Sequence, residues 1–321
     1  MDETLGGYLR RLASDPGNPL RPALVVQGGG LRGIYSLSAL AVLEEQGLRD
    51  AFSRVIGSSA GAINGAYFLA GQAGESLSIY TEDLSNKRFV NPWRFWKIVD
   101  VDYMIDVLRE KHHLDEEAMR KAPATLYTVL TDAKTAETRI VSSREPGLDV
   151  YEVFRATAAL PGLYNKKIEI EPGAARYVDG GVSDLLPLDR ALDRALGQGR
   201  AGEEGQPDEA VVLLTRGWGH EKAERGRLVR GIVHLLWWWS QSRPVREKVC
   251  RGDGLYNQVM KELEREDERT PRQTWTLCPS DLRRLVKRTT TDRERLLACA
   301  KMAREDTLAL LAQESAAFAL A

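Results

Sequence analysis

A serine between two glycines is the first feature of this sequence that could do chemistry. Gly57-Ser58-Ser59-Ala60-Gly61 has the Gly-x-Ser-x-Gly spacing of a nucleophile elbow, and Val55 and Ile56 before it indicate the end of a buried strand. In such an elbow the serine stands clear of its own backbone, and the crowded turn leaves no room for Cβ atoms two residues to either side. Ser59 is therefore the candidate nucleophile for attack on an ester.

A serine hydroxyl is a poor nucleophile until a base takes its proton, and an acid lies 120 residues downstream. Asp179 follows a short predicted strand and precedes Gly180 and Gly181. The two glycines would allow the backbones to approach, so the simplest arrangement is a dyad in which Asp179 accepts the Ser59 proton. The alternative is a triad of Ser59, Asp179 and His220, whose order along the chain matches that of α/β-hydrolases.

A glycine-rich loop, Gly28-Gly29-Gly30-Leu31-Arg32-Gly33, lies between a predicted strand and a predicted helix. Consecutive glycines at a helix N-terminus can aim backbone N–H groups at one point, so Gly28, Gly29 and Gly30 are candidate oxyanion-hole donors. Arg32 could contribute its backbone or orient the loop. The loop also fits the Gly-x-Gly-x-x-Gly pattern of dinucleotide sites, but Asp50 precedes the second strand instead of ending it. Nucleotide binding is therefore kept as an alternative function.

The elements around these motifs predict an α/β protein with a parallel sheet. A strand, the glycine loop, a helix and a second strand form a βαβ unit, which leads directly into the elbow. We expect a polar N-terminal lead-in over residues 1–22 and one domain over residues 23–321, including a helical C-terminal part. The predicted strands are 23–27, 52–56, 125–132, 138–142, 167–170, 176–178 and 210–214, and the main predicted helices are 34–46, 150–159 and 292–321.

The glycine loop, the elbow and Asp179-Gly180-Gly181, in that order, resemble the motifs of the patatin-like phospholipases. The segment 155–161 resembles the helix-to-proline stretch that precedes the acid in this family, and segments 182–187 and 278–280 resemble its bacterial branch. The resemblance implies a three-layer α/β/α fold with a mainly parallel central sheet. It also implies a Ser59–Asp179 dyad that hydrolyses fatty-acyl esters of lipids, with no metal or cofactor and with the glycine loop holding the oxyanion. The remaining motif residues are Gly33, Gly57, Gly61, Gly180 and Gly181.

Some members of this family have regulatory roles, so a partner-activated effector with the same fold is a second alternative. The substrate headgroup, the acyl chain length and the oligomeric state are left open by the sequence.

The composition is that of an ordinary globular protein. The chain has 321 residues, of which 43% are hydrophobic and 28% charged, which is enough for a large core. A net charge of -1 argues against a general nucleic-acid binder. Three widely spaced cysteines and an N-terminus without a signal peptide favour a reducing, cytoplasmic location. The charge-free run 55–74 coincides with the elbow and its helix, so no transmembrane helix is predicted.

Two stretches could contact a membrane surface. Trp237, Trp238 and Trp239 end a predicted helix near several arginines, a composition that suits a lipid interface. A helix packed on the sheet is favoured slightly, because three consecutive tryptophans cannot share one helical face. A second stretch, 283–288, would give one basic face if it were helical, and anionic headgroups would suit that face. A lipid or ester substrate is thus expected, with peripheral membrane contact as an alternative.

Overall fold

Eight strands form one sheet in the computed structural model, which describes residues 4–15, 17–18, 21–94, 97–192, 209–219, 231, 233, 235–267 and 274–313. The order of the strands is β5-β6-β3-β2-β1-β7-β8, and β4 pairs with β3. The strands are β1 Ala23–Val26, β2 Arg54–Ser58, β3 Thr125–Asp132, β4 Thr138–Ser142, β5 Ile168–Glu169, β6 Arg176–Asp179, β7 Ala210–Leu213 and β8 Thr274–Leu277.

The five strands β8, β7, β1, β2 and β3 run parallel, and β4, β5 and β6 add antiparallel pairs on the β3 side. All four residues of β1 are buried, because helices cover both faces of the sheet at its centre. The predicted βαβ unit and the mainly parallel sheet are thus confirmed.

Helices flank the sheet on both sides. They are α1 Leu5–Ala13, α2 Gly33–Glu45, α3 Ala60–Leu69, α4 Val101–Glu110, α5 Glu116–Lys121, α6 Val150–Thr157, α7 Leu188–Ala191, α8 Arg243–Asp267 and α9 Arg293–Leu311. Alternate residues of β1 enter two separate apolar cores: Leu24 and Val26 pack with α1, α2, α3 and α9, whereas Ala23 and Val25 pack with α7 and α8. The predicted three-layer α/β/α architecture is confirmed.

The N-terminal stretch contains a packed helix that the description of a polar lead-in misses. In α1, Leu5, Tyr8, Leu9 and Leu12 are at most 3% exposed and belong to the larger core. Their spacing is that of one helical face, and the Thr4 hydroxyl accepts the Gly7 N–H at the helix N-terminus. The prediction of a polar lead-in is therefore wrong for residues 5–13.

The basic stretch 283–288 is not helical, so the basic face that a helix would have given it does not form. Residues 281–290 form turns and segments without regular secondary structure. Within them Arg283 pairs with Asp281 and Arg284 with Glu305, so these two side chains do not join one basic face. The final helix is confirmed from Arg293 to Leu311, and the Asp292 carboxylate accepts the Glu294 and Arg295 N–H groups at its N-terminus. It ends before the predicted residue 321, since residues 312–313 already leave the helix. No helix in the described ranges is long and apolar enough to cross a membrane.

Candidate active site

The ends of β2 and β6 meet along one edge of β3. Ser58, the last residue of β2, lies opposite Val129, and Asp179, the last residue of β6, lies opposite the next residue, Leu130. Strand β4 pairs with residues 127–131 of β3, which overlap both the residues paired with β2 and those paired with β6. Since one edge of a strand can pair with only one neighbour at each residue, β4 occupies one edge of β3, and β2 and β6 share the opposite edge. This arrangement brings Ser59 next to Asp179, and the Ser59 hydroxyl lies close enough to the Asp179 carboxylate to lower its pKa.

Ser59 has the backbone of a nucleophile elbow. Its φ is 53° and its ψ is -133°, a strained conformation for a residue with a side chain. It occupies the N-cap position of α3, yet its hydroxyl does not cap the helix, so that hydroxyl is available to Asp179. A Cβ on Gly61 would lie 2.2 Å from the carbonyl oxygen of Val26, which explains why the turn requires a glycine there.

Asp179 is buried, with 4% of its surface exposed. Burial raises its pKa to about 6, against the opposing effects of the Gly181 N–H, the Ser59 hydroxyl and the Arg288 charge. The Gly181 N–H donates to Asp179 Oδ1 at 2.7 Å and fixes the orientation of the carboxylate. At neutral pH this group is ionised, and it is a stronger base than an exposed aspartate.

Thr157, the last residue of α6, holds the elbow from behind. Its Oγ1 accepts the Ser59 N–H at 2.8 Å and its hydroxyl donates to the Val129 carbonyl at 2.8 Å. The side chain is fully buried. Thr157 lies in the segment quoted for the family resemblance, but its role could not be read from the sequence, because the contact joins residues 98 positions apart.

The glycine loop lies beside Ser59 on the wall of one cavity. Gly28, Gly29 and Gly30 line the same cavity as Ser59, and within the described part of the chain no acceptor pairs with their N–H groups. Arg32 differs from the prediction: its N–H donates to the Gly29 carbonyl at 3.2 Å in a tight turn, and its buried side chain does not line the cavity. The backbone of Arg32 is therefore not an oxyanion donor.

The other motif glycines serve packing. A Cβ on Gly33 would lie 2.5 Å from the Tyr80 hydroxyl oxygen, and one on Gly180 would lie 2.1 Å from the Val129 carbonyl oxygen. A Cβ on Gly57 would lie 2.8 Å from the Ala62 nitrogen. None of these three lines the cavity within the described residues, whereas Gly181 does.

Ser59 opens into a cavity of about 690 Å³, which we call the Ser59 cavity. Much of its wall is apolar, so it can hold the hydrocarbon of an acyl chain. Its charged lining residues other than Asp179 all come from the C-terminal third of the chain, and none was predicted from the sequence as part of the site. The apolar wall includes Ile63, Leu84, Phe89, Met104, Leu108 and Leu163, and the charged residues are Arg216, Lys248, Asp253 and Arg288.

A family model described as patatin-like phospholipase matches residues 24–192, a range that contains the glycine loop, the elbow and Asp179. The chain belongs to the patatin-like phospholipase family. Membership places this patatin-like protein in a family of lipid hydrolases.

Two curated bacterial relatives match part of this patatin-like chain. YjjU of Escherichia coli K12 is 27% identical over 194 residues, which are 58% of this chain and 52% of YjjU. YqhO of Bacillus subtilis 168 is 26% identical over 190 residues, 51% of this chain and 64% of YqhO. The matches therefore span about half of YjjU and less than two thirds of YqhO.

Two solved structures are similar at low identity. VipD from Legionella pneumophila gives a TM-score of 0.46 at 16% identity and covers 91% of this chain and 67% of VipD. The type III effector protein ExoU gives a TM-score of 0.38 at 16% identity, over 92% of this chain and 54% of ExoU.

Histidine is absent from the described wall of the Ser59 cavity. His112 binds the Asp83 carboxylate at 2.8 Å, and His113 contacts the Tyr151 hydroxyl at 3.4 Å. His220, the third member of the alternative triad, lies outside the described residues. In the described part of this patatin-like chain, the carboxylate of Asp179 lies beside the Ser59 hydroxyl.

Of the three consecutive tryptophans, one is partly buried and two are exposed. Trp237 packs against Gly162, where an added Cβ would lie 2.3 Å from the indole ring. Trp238 and Trp239 are 64% and 92% exposed, and the Arg246 guanidinium lies 4.9 Å from the Trp238 ring centroid. Trp237 is partly buried and lies in a turn, so the packed helix is not confirmed for this triplet, and contact with a membrane stays a prediction.

Proposed function

We propose that this protein is a serine acyl hydrolase that cleaves fatty-acyl esters of phospholipids or related lipids through a Ser59–Asp179 dyad. The observation that carries the proposal is the position of the Ser59 hydroxyl beside the buried Asp179 carboxylate, with both residues on the wall of one largely apolar cavity. Family membership supports the lipid substrate, and the domain proposed for this activity is residues 23–321.

The first half of the reaction transfers the acyl group to the enzyme. Asp179 accepts the Ser59 proton while Ser59 Oγ attacks the ester carbonyl carbon, and the carbonyl electrons move onto the oxygen. The N–H groups of the glycine loop stabilise this oxyanion. The intermediate then collapses, the bond to the leaving alcohol oxygen breaks, and protonated Asp179 gives its proton to that oxygen. The product is an acyl ester on Ser59.

The second half uses water as the nucleophile. Asp179, ionised again, accepts a proton from a water molecule that attacks the acyl carbonyl. Collapse of the second oxyanion breaks the bond to Ser59 Oγ, and Asp179 returns the proton to Ser59. The fatty acid leaves and the dyad is restored. Since one buried carboxylate acts as base and then as acid in both halves, a pKa near neutrality suits it.

The nucleotide-binding alternative has less support. The glycine loop faces the Ser59 cavity, and that cavity has a largely apolar wall that suits a hydrocarbon chain better than a ribose. A partner-activated effector would share the same residues and differ only in being inactive when purified alone.

The test is hydrolysis of a chain-length series of p-nitrophenyl esters and of phospholipid vesicles. Wild type, Ser59→Ala, Asp179→Asn and His220→Ala are compared, with Ser58→Ala as the matched control, because Ser58 is the adjacent serine and its hydroxyl has no hydrogen-bond partner within the described structure. The dyad predicts activity in wild type, His220→Ala and Ser58→Ala, and at least a ~1000-fold loss in the other two. Full activity in Ser59→Ala would contradict it.

A further inference from the structure

A buried threonine beyond the end of β7 contacts the glycine loop. Thr215 is fully buried, and its hydroxyl donates to the Gly28 carbonyl oxygen at 2.9 Å. Gln27 Oε1 lies 3.1 Å from the same hydroxyl and accepts the Thr215 N–H at 2.9 Å. The Gly28 carbonyl is the nearer acceptor for the hydroxyl proton, and Gln27, which is itself buried, holds Thr215 in place.

This contact sets the orientation of the peptide between Gly28 and Gly29. In a trans peptide the C=O and the following N–H point in opposite directions. Strand β1, which leads into the loop, lies between β7 and β2 in the sheet. Thr215 follows β7 and Ser59 follows β2 directly, so a Gly28 carbonyl that points at Thr215 directs the Gly29 N–H toward the side of Ser59.

Close packing leaves this loop little room to turn. An added Cβ on Gly28 would lie 3.1 Å from the Ser59 Cβ, so the loop and the elbow are in contact. An added Cβ on Gly29 would lie 2.8 Å from Thr215 Oγ1. A side chain at position 29 would therefore displace the threonine hydroxyl, which gives a reason for glycine at this position.

The other N–H groups of the loop narrow the choice of oxyanion donor. The Leu31 N–H donates to the Arg288 carbonyl oxygen at 3.0 Å, so it is not available to an oxyanion. The Gly29 N–H has no acceptor in the part of the chain that the structure describes, and Gly29 lines the Ser59 cavity. An N–H group held in place before the reaction stabilises an oxyanion strongly, because it need not reorient as the charge develops.

We propose that Thr215 is a positioning residue of the oxyanion hole: its hydroxyl holds the Gly28–Gly29 peptide so that the Gly29 N–H faces the carbonyl oxygen of an ester attacked by Ser59. The inference rests on the proposed function, and it adds to the site a residue outside the range 24–192 that the family model matches. Thr215 touches no reacting atom. Loss of its hydroxyl should weaken binding of the oxyanion and leave binding of the uncharged substrate unchanged.

Three substitutions isolate the hydroxyl of Thr215. Thr215→Val has nearly the same shape without the hydroxyl, and Thr215→Ser keeps the hydroxyl. Thr276→Val is the matched control, because Thr276 lies in the neighbouring strand β8 and its Oγ1 has no hydrogen-bond partner within the described structure. Thermal unfolding verifies that each variant is folded, and Thr215→Ala replaces Thr215→Val if the valine variant is not.

Two inhibitors separate the oxyanion from the uncharged bound state. Ser59 Oγ adds to the carbonyl carbon of a long-chain alkyl trifluoromethyl ketone, the Ser59 proton passes to Asp179, and the ketone oxygen becomes the oxyanion of a hemiketal. An alkyl alcohol of the same chain length fills the cavity without forming an oxyanion. The inhibition constants of both are measured at pH 8, together with kcat and KM on a p-nitrophenyl ester.

We expect Thr215→Val to lower kcat and the affinity for the ketone by about 10- to 100-fold each, with less than about 2-fold change in KM and in the affinity for the alcohol. Thr215→Ser and Thr276→Val should keep most of the wild-type kcat and ketone affinity. Equal losses in Thr215→Val and Thr215→Ser would overturn the proposal, and so would a loss of kcat in Thr215→Val without a loss of ketone affinity.

The proposed function and this inference fail in different ways. A wild type that hydrolyses no ester and binds the ketone no more tightly than the alcohol contradicts the proposed function, and the role of Thr215 is overturned with it. If the wild type hydrolyses the ester and binds the ketone tightly, and Thr215→Val does both equally well, the inference about Thr215 is overturned alone.

Discussion

The hydroxyl of Thr157 joins the turn at Ser59 to the central sheet. Its oxygen accepts a hydrogen bond from the Ser59 N–H, and its O–H donates one to the Val129 carbonyl oxygen, each at 2.8 Å. Ser59 has a positive φ, so its strained backbone must be held by its surroundings. Through this contact α6 and β3 together fix Ser59, the proposed nucleophile. Thr157 acts through Ser59 and is therefore a positioning residue.

Replacement of Thr157 by Val should lower kcat about 10- to 100-fold with little change in KM. Valine has nearly the same shape but leaves the Ser59 N–H and the Val129 carbonyl without a partner, and each buried unpaired group costs about 1–3 kcal/mol. Thr157→Ser keeps the hydroxyl and should retain most of the activity. Steady-state kinetics on a p-nitrophenyl ester compares the two variants. Equal losses of kcat in Thr157→Val and Thr157→Ser would show that Thr157 acts through packing and not through its hydroxyl.

The pH dependence of the reaction should report Asp179. Only the ionised carboxylate can accept the Ser59 proton, and its pKa is raised to about 6. The value of kcat/KM should therefore rise with pH, reach half its maximum near pH 6 and level off above pH 7. Arg288→Met removes a positive charge that lowers this pKa, so its profile should shift to higher pH. A profile for wild type that is flat from pH 5 to 8 would rule out Asp179 as the base.

The same carboxylate should make the wild-type fold less stable as pH rises. Asp179 has an ordinary pKa of 3.8 when unfolded and about 6 when folded, so the folded state binds a proton more tightly between these values. The contribution of Asp179 to the free energy of unfolding is thus largest below pH 4. Up to about 3 kcal/mol of this free energy is lost as the pH rises through 6. Asp179→Asn should be more stable than wild type at pH 8 and lose this advantage near pH 4. Urea unfolding at the two pH values measures the difference, and an Asn variant that is less stable at pH 8 would contradict the burial cost.

A methyl group at Gly61 should destabilise the fold by about 3 kcal/mol, because its Cβ would lie 2.2 Å from the Val26 carbonyl oxygen and would push α3 away from β1. Gly252→Ala is the matched control. Gly252 lies within α8, and a Cβ there meets nothing within 4 Å, so this variant should gain up to about 1 kcal/mol from helix propensity. Urea unfolding of both variants should show opposite signs, and a Gly61→Ala protein as stable as wild type would refute the close approach.

The sequence predicted the central sheet well because its strands are short apolar runs bounded by glycine or proline. Strands β3 and β4 were predicted with their observed bounds, and β1, β2 and β7 to within two residues. The first helix was missed, since two glycines and two arginines interrupt its four large buried side chains. The basic stretch 283–288 was misjudged because charge spacing alone does not distinguish a helix from successive turns.

The candidate active site, too, could be predicted only in part from the sequence. Ser59, Asp179 and the glycine loop stand in local motifs, so their types and spacing could be recognised. The positions of Thr157, Arg216 and Arg288 at the site could not be predicted, because each comes close to Ser59 through contacts between distant parts of the chain. Residues that position or surround a nucleophile are found only when the fold brings them together.

The proposed roles of Ser59 and Asp179 are tested most directly by covalent labelling with a long-chain alkyl fluorophosphonate, followed by peptide mass spectrometry. If Ser59 is the nucleophile and Asp179 its base, wild type and Ser58→Ala should carry the label on Ser59, Asp179→Asn should label at least ~100-fold more slowly, and Ser59→Ala should not react. Label on Ser58, or equal labelling of Ser59→Ala and wild type, would contradict the account.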